Sequence, residues 1–322
     1  MPATLDEAVL ALQSPGSRLI AGGTDLLPNL KHRLESPTML VSLAGVRELS
    51  TITVDDDAQE LVIGAGATLT TVEQCPQVRA HAPSLCSAAG LVASPLIRNQ
   101  ATLGGNVNLD TRCRYVNQTD FWRSAIGGCI KSEGTVCHVV PGGKNCVAAM
   151  SSDCVPVLIS LGASLQLVGP NGRRRVAMKD YYVADGTRHT TREDGEVTTA
   201  VIVPLVSTPR RAGYSKWTVR GSIDFPLTSV ALCFDLERDE VAAPIAGATV
   251  VVGVLGAKPR VVTRLDEVVG KSLSDPETAA IVAERVHRQC KPLANVPYEA
   301  PYRRQMLRVH TRRAIEALVA DG

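Results

Sequence analysis

The chain has 322 residues, of which 45% are hydrophobic and 20% charged, with a formal net charge of +2; this excludes a disordered chain and leaves ample apolar residues for two or three packed domains. The charges are interspersed, and the short run GRRRV at 172–176 makes no electrostatic footprint for nucleic acid or an anionic membrane. No apolar run reaches the roughly 20 residues of a membrane span, and the opening MPATLDEAVLAL carries Asp6 and Glu7 instead of a signal peptide's basic start, so the expected location is a reducing cytoplasm, where nine cysteines serve as ligands or buried thiols.

After an opening helix, SRLIAGGTDLLPNLKHRLE (17–35) reads as a short apolar strand, a Gly-Gly turn and a helix with Leu26, Leu27, Leu30 and Leu34 on one face. Thr24 or Asp25 suits its N-cap, and Pro28 is tolerated in a first turn. LVSLAG (40–45) and LVIGAGATL (61–69) read as a strand pair, and residues 68–92 as two helical pieces broken at Pro76 and Pro83. Residues 110–150 show neither helical nor strand period, contain Gly127-Gly128 and Gly142-Gly143, and read as an ordered insertion without a core of its own. CVPVLISLGASLQLVGPNGRRRVAM (154–178) then gives a helix and a hairpin, whose Asn171-Gly172 pair favours a type I′ turn. From about 210 come three strands and then two helices, the pattern of a separate α+β domain. Ser274 with Glu277 reads as a capping box for the first of these helices, with Pro276 near its first turn.

Gly22-Gly23-Thr24-Asp25 and Gly104-Gly105-Asn106 are two turns of a type that cradles phosphate, because glycine allows close approach and positive φ while free N–H groups donate. Each alone is weak, since such a turn is usually only a connection. IGAGATL is a decoy: Leu69 stands where a nicotinamide dinucleotide fingerprint needs its third small residue.

AGGTDLLPNLK (21–31), IRNQATLGGNV (97–107), SSDCVPVL (151–158), YSKWTVRGSIDFPLTSVA (214–231) and APYRRQMLRVHTRRAI (300–315) together resemble the flavin-binding subunit of the molybdenum hydroxylase (xanthine dehydrogenase) family, over nearly the whole chain. The resemblance implies an α+β fold: FAD held between two subdomains, 1–55 and 56–208, with the insertion at about 108–150, then a C-terminal domain, 209–322, with a three-stranded sheet and helices. It also implies that Ala21, Gly22, Gly23, Thr24, Asp25 and Leu26 surround the FAD pyrophosphate. Thr102, Gly104, Gly105 and Asn106 would form the second wall, Asp153 would bond ribose or ribityl hydroxyls, and Lys216 would lie near the isoalloxazine. A cation there favours the anionic reduced flavin; without the family, Lys216 reads equally as a surface lysine at a strand end.

The insertion departs from the ordinary family pattern, with 44 residues between Val107 and Ser152. Cys113, Cys129, Cys137 and Cys146 fall inside it and Cys154 just beyond, at spacings of 16, 8, 9 and 8. With no C-x-x-C, a zinc knuckle loses its usual signal, whereas four thiolates at irregular spacing can enclose an iron–sulfur cluster, and such a centre orders a segment too poor in apolar residues to fold alone. Cys154, at the start of an apolar helix, reads as a small core residue. Cys75, Cys86, Cys233 and Cys290 read as buried scaffold thiols, and His138 as a polar neighbour of the cluster or nothing at all.

The insertion resembles that of a reductase branch of the family. This implies a [4Fe–4S] cluster on Cys113, Cys129, Cys137 and Cys146, a molybdopterin-binding large subunit that reductively removes a phenolic hydroxyl from an aromatic thioester, and a small subunit with two [2Fe–2S] clusters. Ferredoxin would be the electron donor and the assembly a dimer of heterotrimers, with no catalytic side chain on this chain. Two alternatives stand beside it: an ordinary FAD subunit delivering electrons to NAD or another acceptor, and a non-redox scaffold holding zinc.

Overall fold

The computed structural model describes residues 1–320. Helix α1 (Leu5–Leu12) starts at Thr4, whose hydroxyl accepts the Glu7 N–H. It packs on a parallel pair, β1 (Ser17–Ile20) and, after the crossover helix α2 (Leu26–Lys31), β2 (Met39–Ser42); parallel neighbours need such a crossover. This first unit has a small core of Ala8, Val41, Val46 and Leu49. The leucine face of α2 is not core: Leu27 is 45% exposed and Leu26 borders a cavity described below.

The strand pair expected from LVSLAG and LVIGAGATL does not form. β3 (Ile52–Asp55), nearer in the chain, takes the edge of β4 (Glu60–Gly64), while β2 stays with β1. β3, which a division at 55 leaves with the first subdomain, is therefore an edge of the second unit's sheet. The prolines start helices as well as breaking them, so three helices replace the expected two: α3 (Leu69–Gln74), α4 (Pro76–His81) and α5 (Pro83–Gly90). α6 (Pro95–Arg98) and α7 (Leu103–Val107) lead to the insertion, which is irregular except for α8 (Asp120–Ala125), capped by Thr119.

Every residue of α9 (Cys154–Ser160) is buried. β5 (Ser164–Gly169), β6 (Gly172–Ala177), the short α10 (Met178–Tyr181) and β7 (Val197–Pro204) follow, completing an antiparallel sheet of order β3-β4-β7-β5-β6. The β5–β6 turn is not type I′. Gly169 pairs with Gly172, so Pro170 and Asn171 are its central residues, and the fixed negative φ of proline excludes a primed turn.

In the third unit β8 (Arg210–Trp217), β9 (Thr228–Leu236) and β10 (Ile245–Gly253) form the expected three-stranded sheet, which gains a two-residue edge strand, β11 (Arg260–Val261). The side chains of β9 alternate between two cores: Val230, Leu232 and Phe234 meet α11 (Pro276–Gln289) and α12 (Ala300–Ala320), while Ala231 and Cys233 join the core around α9. That alternation fuses the second and third units. α11 is capped by Asp275, whose carboxylate accepts the Glu277 N–H at 2.8 Å, in place of the expected Ser274 box. Among the described residues no helix is long and apolar enough to cross a membrane.

Candidate functional site

A cavity of about 380 Å³ lies where the first and second units meet, within the size range of cofactor sites. Its first wall is the turn between β1 and α2. A Cβ on Gly22 would fall 1.8 Å from the Gln100 carbonyl oxygen, so only glycine lets this turn press against the segment leading to α7, and Gly23 takes a φ of +69°. Among the described residues, the N–H groups of Gly22, Gly23, Thr24 and Asp25 meet no acceptor. They form a row of donors open to an anion.

The opposite wall is the start of α7. Thr102 caps it, accepting the Gly105 N–H at 3.1 Å, and a Cβ on Gly104 would sit 2.7 Å from Ala65. Asn106 accepts the Ser152 hydroxyl at 2.6 Å and the Cys154 N–H at 3.4 Å, fastening α7 to the turn that carries Asp153. Asp153 is buried at the cavity wall, accepting the Tyr214 hydroxyl at 2.7 Å and the Lys216 ammonium at 2.9 Å. Burial pushes its carboxyl up, opposed by Lys216 and by the Tyr214 hydrogen bond. Lys216 is 6% exposed, not a surface lysine, and also donates to the Leu91 carbonyl at 2.9 Å.

Ala21 to Leu26, Thr102, Gly104, Gly105, Asn106 and Asp153 thus line one cavity, with Lys216 held behind Asp153. The sequence reading missed Arg112 and Phe225, which line it too. The Arg112 guanidinium pairs with Asp25 and lies 4.6 Å from the Phe225 ring centroid; burial lowers it to about 10. Phe225 lay in a quoted motif, but Arg112 gave no local signal, because its partners are far along the chain. An open row of N–H donors, a buried arginine beside it and apolar residues such as Ile20, Leu69 and Val92 suit a long ligand with an anionic middle, as FAD is.

The insertion forms a second pocket, of about 20 Å³, lined by all four of Cys113, Cys129, Cys137 and Cys146. Cys129, Cys137 and Cys146 are buried, and burial pushes the Cys113 thiol up to about 11. Gly128 and Gly134 fold tightly around Cys129: a Cβ on Gly134 would lie 2.6 Å from its nitrogen. Among the described residues no three His, Cys, Asp or Glu side chains converge on a single ion. The four thiols around this pocket are the donor set of a Cys₄ metal centre. The ring of His138 bonds the Gly128 carbonyl at 2.7 Å and lies 5.1 Å from Tyr115, which occupies it as a structural neighbour. Cys154, Cys86, Cys233 and Cys290 are buried in the scaffold as expected; Cys75, between α3 and α4, is only half-buried and donates to Gln77.

Residues 1–206 match the family described as the FAD binding domain in molybdopterin dehydrogenase. The FAD-binding subunit of an aldehyde oxidoreductase from Escherichia coli is 37% identical over 238 residues, covering 70% of this chain and 73% of that one. The carbon monoxide dehydrogenase medium chain of Afipia carboxidovorans is 28% identical over 320 residues, 98% of this chain and 94% of that one. A crystal structure of Cu,Mo-CO dehydrogenase superposes with a TM-score of 0.79 at 25% identity, covering 100% of this chain and 96% of that one. With its two glycine turns facing one cavity and this match across more than half its length, the chain belongs to the family of FAD-binding subunits of molybdenum hydroxylases.

Proposed function

We propose that the chain is an electron-transfer subunit carrying FAD in the large cavity and a [4Fe–4S] cluster on Cys113, Cys129, Cys137 and Cys146. The observation that carries this is the convergence of the four insertion cysteines on one pocket, joined to the flavin cavity through residues 108–112. When bound, the two groups supply one- and two-electron redox chemistry. The chain's own residues would bind and orient them: the Gly22–Asp25 turn and α7 would hold the pyrophosphate and Asp153 the ribose or ribityl hydroxyls, with Lys216, paired to Asp153 behind the cavity wall, a fixed cation near the isoalloxazine.

The finer assignment is the medium subunit of 4-hydroxybenzoyl-CoA reductase. In it, electrons from ferredoxin reach a molybdopterin-binding large subunit by way of this chain and a small subunit with two [2Fe–2S] clusters, for dehydroxylation to benzoyl-CoA in a dimer of heterotrimers. A second reading, favoured by the 37% identity to an aldehyde oxidoreductase subunit, is an oxidising molybdenum hydroxylase that delivers electrons to NAD or another acceptor.

The test is iron and flavin content of the complex purified without oxygen, wild type against Cys137→Ser. Loss of about four irons per copy with FAD retained supports the cluster; unchanged iron, or zinc in the pocket, refutes it. Assay of the same preparation for 4-hydroxybenzoyl-CoA reduction and for aldehyde oxidation then separates the two readings.

A further inference from the structure

Between the flavin cavity and the cysteine pocket stands a charge pair that neither site accounts for. Lys131 lines the cysteine pocket and Asp110 lines the flavin cavity, and the two meet at 2.6 Å. The lysine side chain is 11% exposed. Its ammonium spends three hydrogen bonds on three fixed acceptors: Asp110 Oδ1, the Thr111 hydroxyl at 2.5 Å and the Gly186 carbonyl at 2.6 Å. Gly186 is itself packed on the pocket, since a Cβ there would lie 2.8 Å from the Cys146 sulfur, and its N–H donates to the Cys146 carbonyl at 2.8 Å. Thr111 is fully buried and donates to the same Gly186 carbonyl at 3.0 Å.

A lysine placed only to satisfy a surface carboxylate would be mobile and solvated. Here the cation is desolvated, has no spare donor, and rests on the carbonyl of Gly186, whose own N–H is bonded to the Cys146 backbone. Its neighbours at the seam are Asp110, Asp185 and His189. A cluster taking up one electron gains one negative charge, and a rigid cation in a low-dielectric wall favours that reduced state. A carboxylate in the same wall opposes it.

Resting on the cluster assignment above, we propose that Lys131 is a positioning residue that raises the reduction potential of the group held by the four cysteines. Asp110, bonded to it from the flavin side, partly offsets its field.

The experiment is an EPR-monitored redox titration of the intact complex, with iron counted in each preparation. Lys131→Met is expected to retain iron and lower the cluster midpoint by about 59 mV, a tenfold fall in the reduced-to-oxidised ratio at fixed ambient potential. Lys131→Arg, which keeps the charge, should stay near the wild-type midpoint. Asp110→Asn should shift it upward, and carries the test if Lys131→Met does not fold. An unmoved midpoint in iron-replete Lys131→Met overturns the proposal, and so does loss of iron from both lysine variants, which marks the residue as merely structural. Wild-type complex lacking the extra four irons fails at the earlier step and refutes the cluster assignment itself.

Discussion

Gly22 shows how much a single residue decides. The first wall of the flavin cavity approaches the second only because no side chain stands between Gly22 and the Gln100 carbonyl, and the atom in the way of a Cβ is backbone. Gly22→Ala therefore forces the walls apart, costing about 1–3 kcal/mol in strain and misaligning the free N–H row. The expected outcome is purified protein with most of its flavin absorbance lost and the fold retained by circular dichroism; full flavin occupancy would count against the cradle. This residue was legible because its turn recurs with the Gly104-Gly105 turn in motifs that resemble one family, although either turn alone reads as a connection. Lys216 was named through the resemblance, but its burial was not legible, since that depends on Asp153 and on the Leu91 carbonyl, 63 and 125 residues away. The sequence showed its charge but not its partners.

Elements were legible where local chemistry decides and illegible where competition does. Thr4, Thr68, Thr102 and Thr119 each cap a helix with the side-chain hydroxyl, yet the Thr119 cap went unread because α8 has only six residues and no sustained period. Strand identity was readable at LVS and LVIG, whereas the edge of β4 went to β3, which closes the shorter loop. In α12 the decisive residue is Arg303, wholly buried although the helix is rich in arginine. Its guanidinium donates to the carbonyls of Leu227 at 2.9 Å, Leu293 at 2.6 Å and Val254 at 2.6 Å, tying α12 to three separate connections. Arg303→Met would leave those carbonyls unpaired, at a cost of about 3 kcal/mol or more. Arg303→Lys should not restore stability, because a point charge on a flexible stem cannot reproduce the planar fork. Denaturant midpoints of the two variants check this, and a lysine variant as stable as wild type would contradict it.

At the scale of the whole molecule, the insertion is joined to the scaffold chiefly by polar bonds and much less by a core. Arg123 donates to the His32 and Arg33 carbonyls of the first unit, at 3.0 and 3.1 Å. Thr111 and Lys131 hold Gly186 of the second. On the third, the Arg114 N–H reaches the Asn295 carbonyl at 2.7 Å and the Asn295 amide reaches Val147. Such a seam responds to pH through its titratable members, of which His189 is one. It lies 3.8 Å from Asp110 with Nε2 buried and unpartnered, and burial, reinforced by Lys131 and opposed by Asp110, lowers it from 6.5 to about 4. The unfolded chain therefore takes up this proton below pH 6.5, while the folded one resists until about pH 4. The contribution to stability is full above 6.5 and is lost as pH falls through that window, by at most about 3 kcal/mol. His189→Gln removes the proton uptake, so its melting temperature should fall less steeply than wild type between pH 6.5 and 4 and run parallel to it above pH 7. Equal slopes on the acid side would mean that the seam opens through its carboxylates, with His189 a bystander.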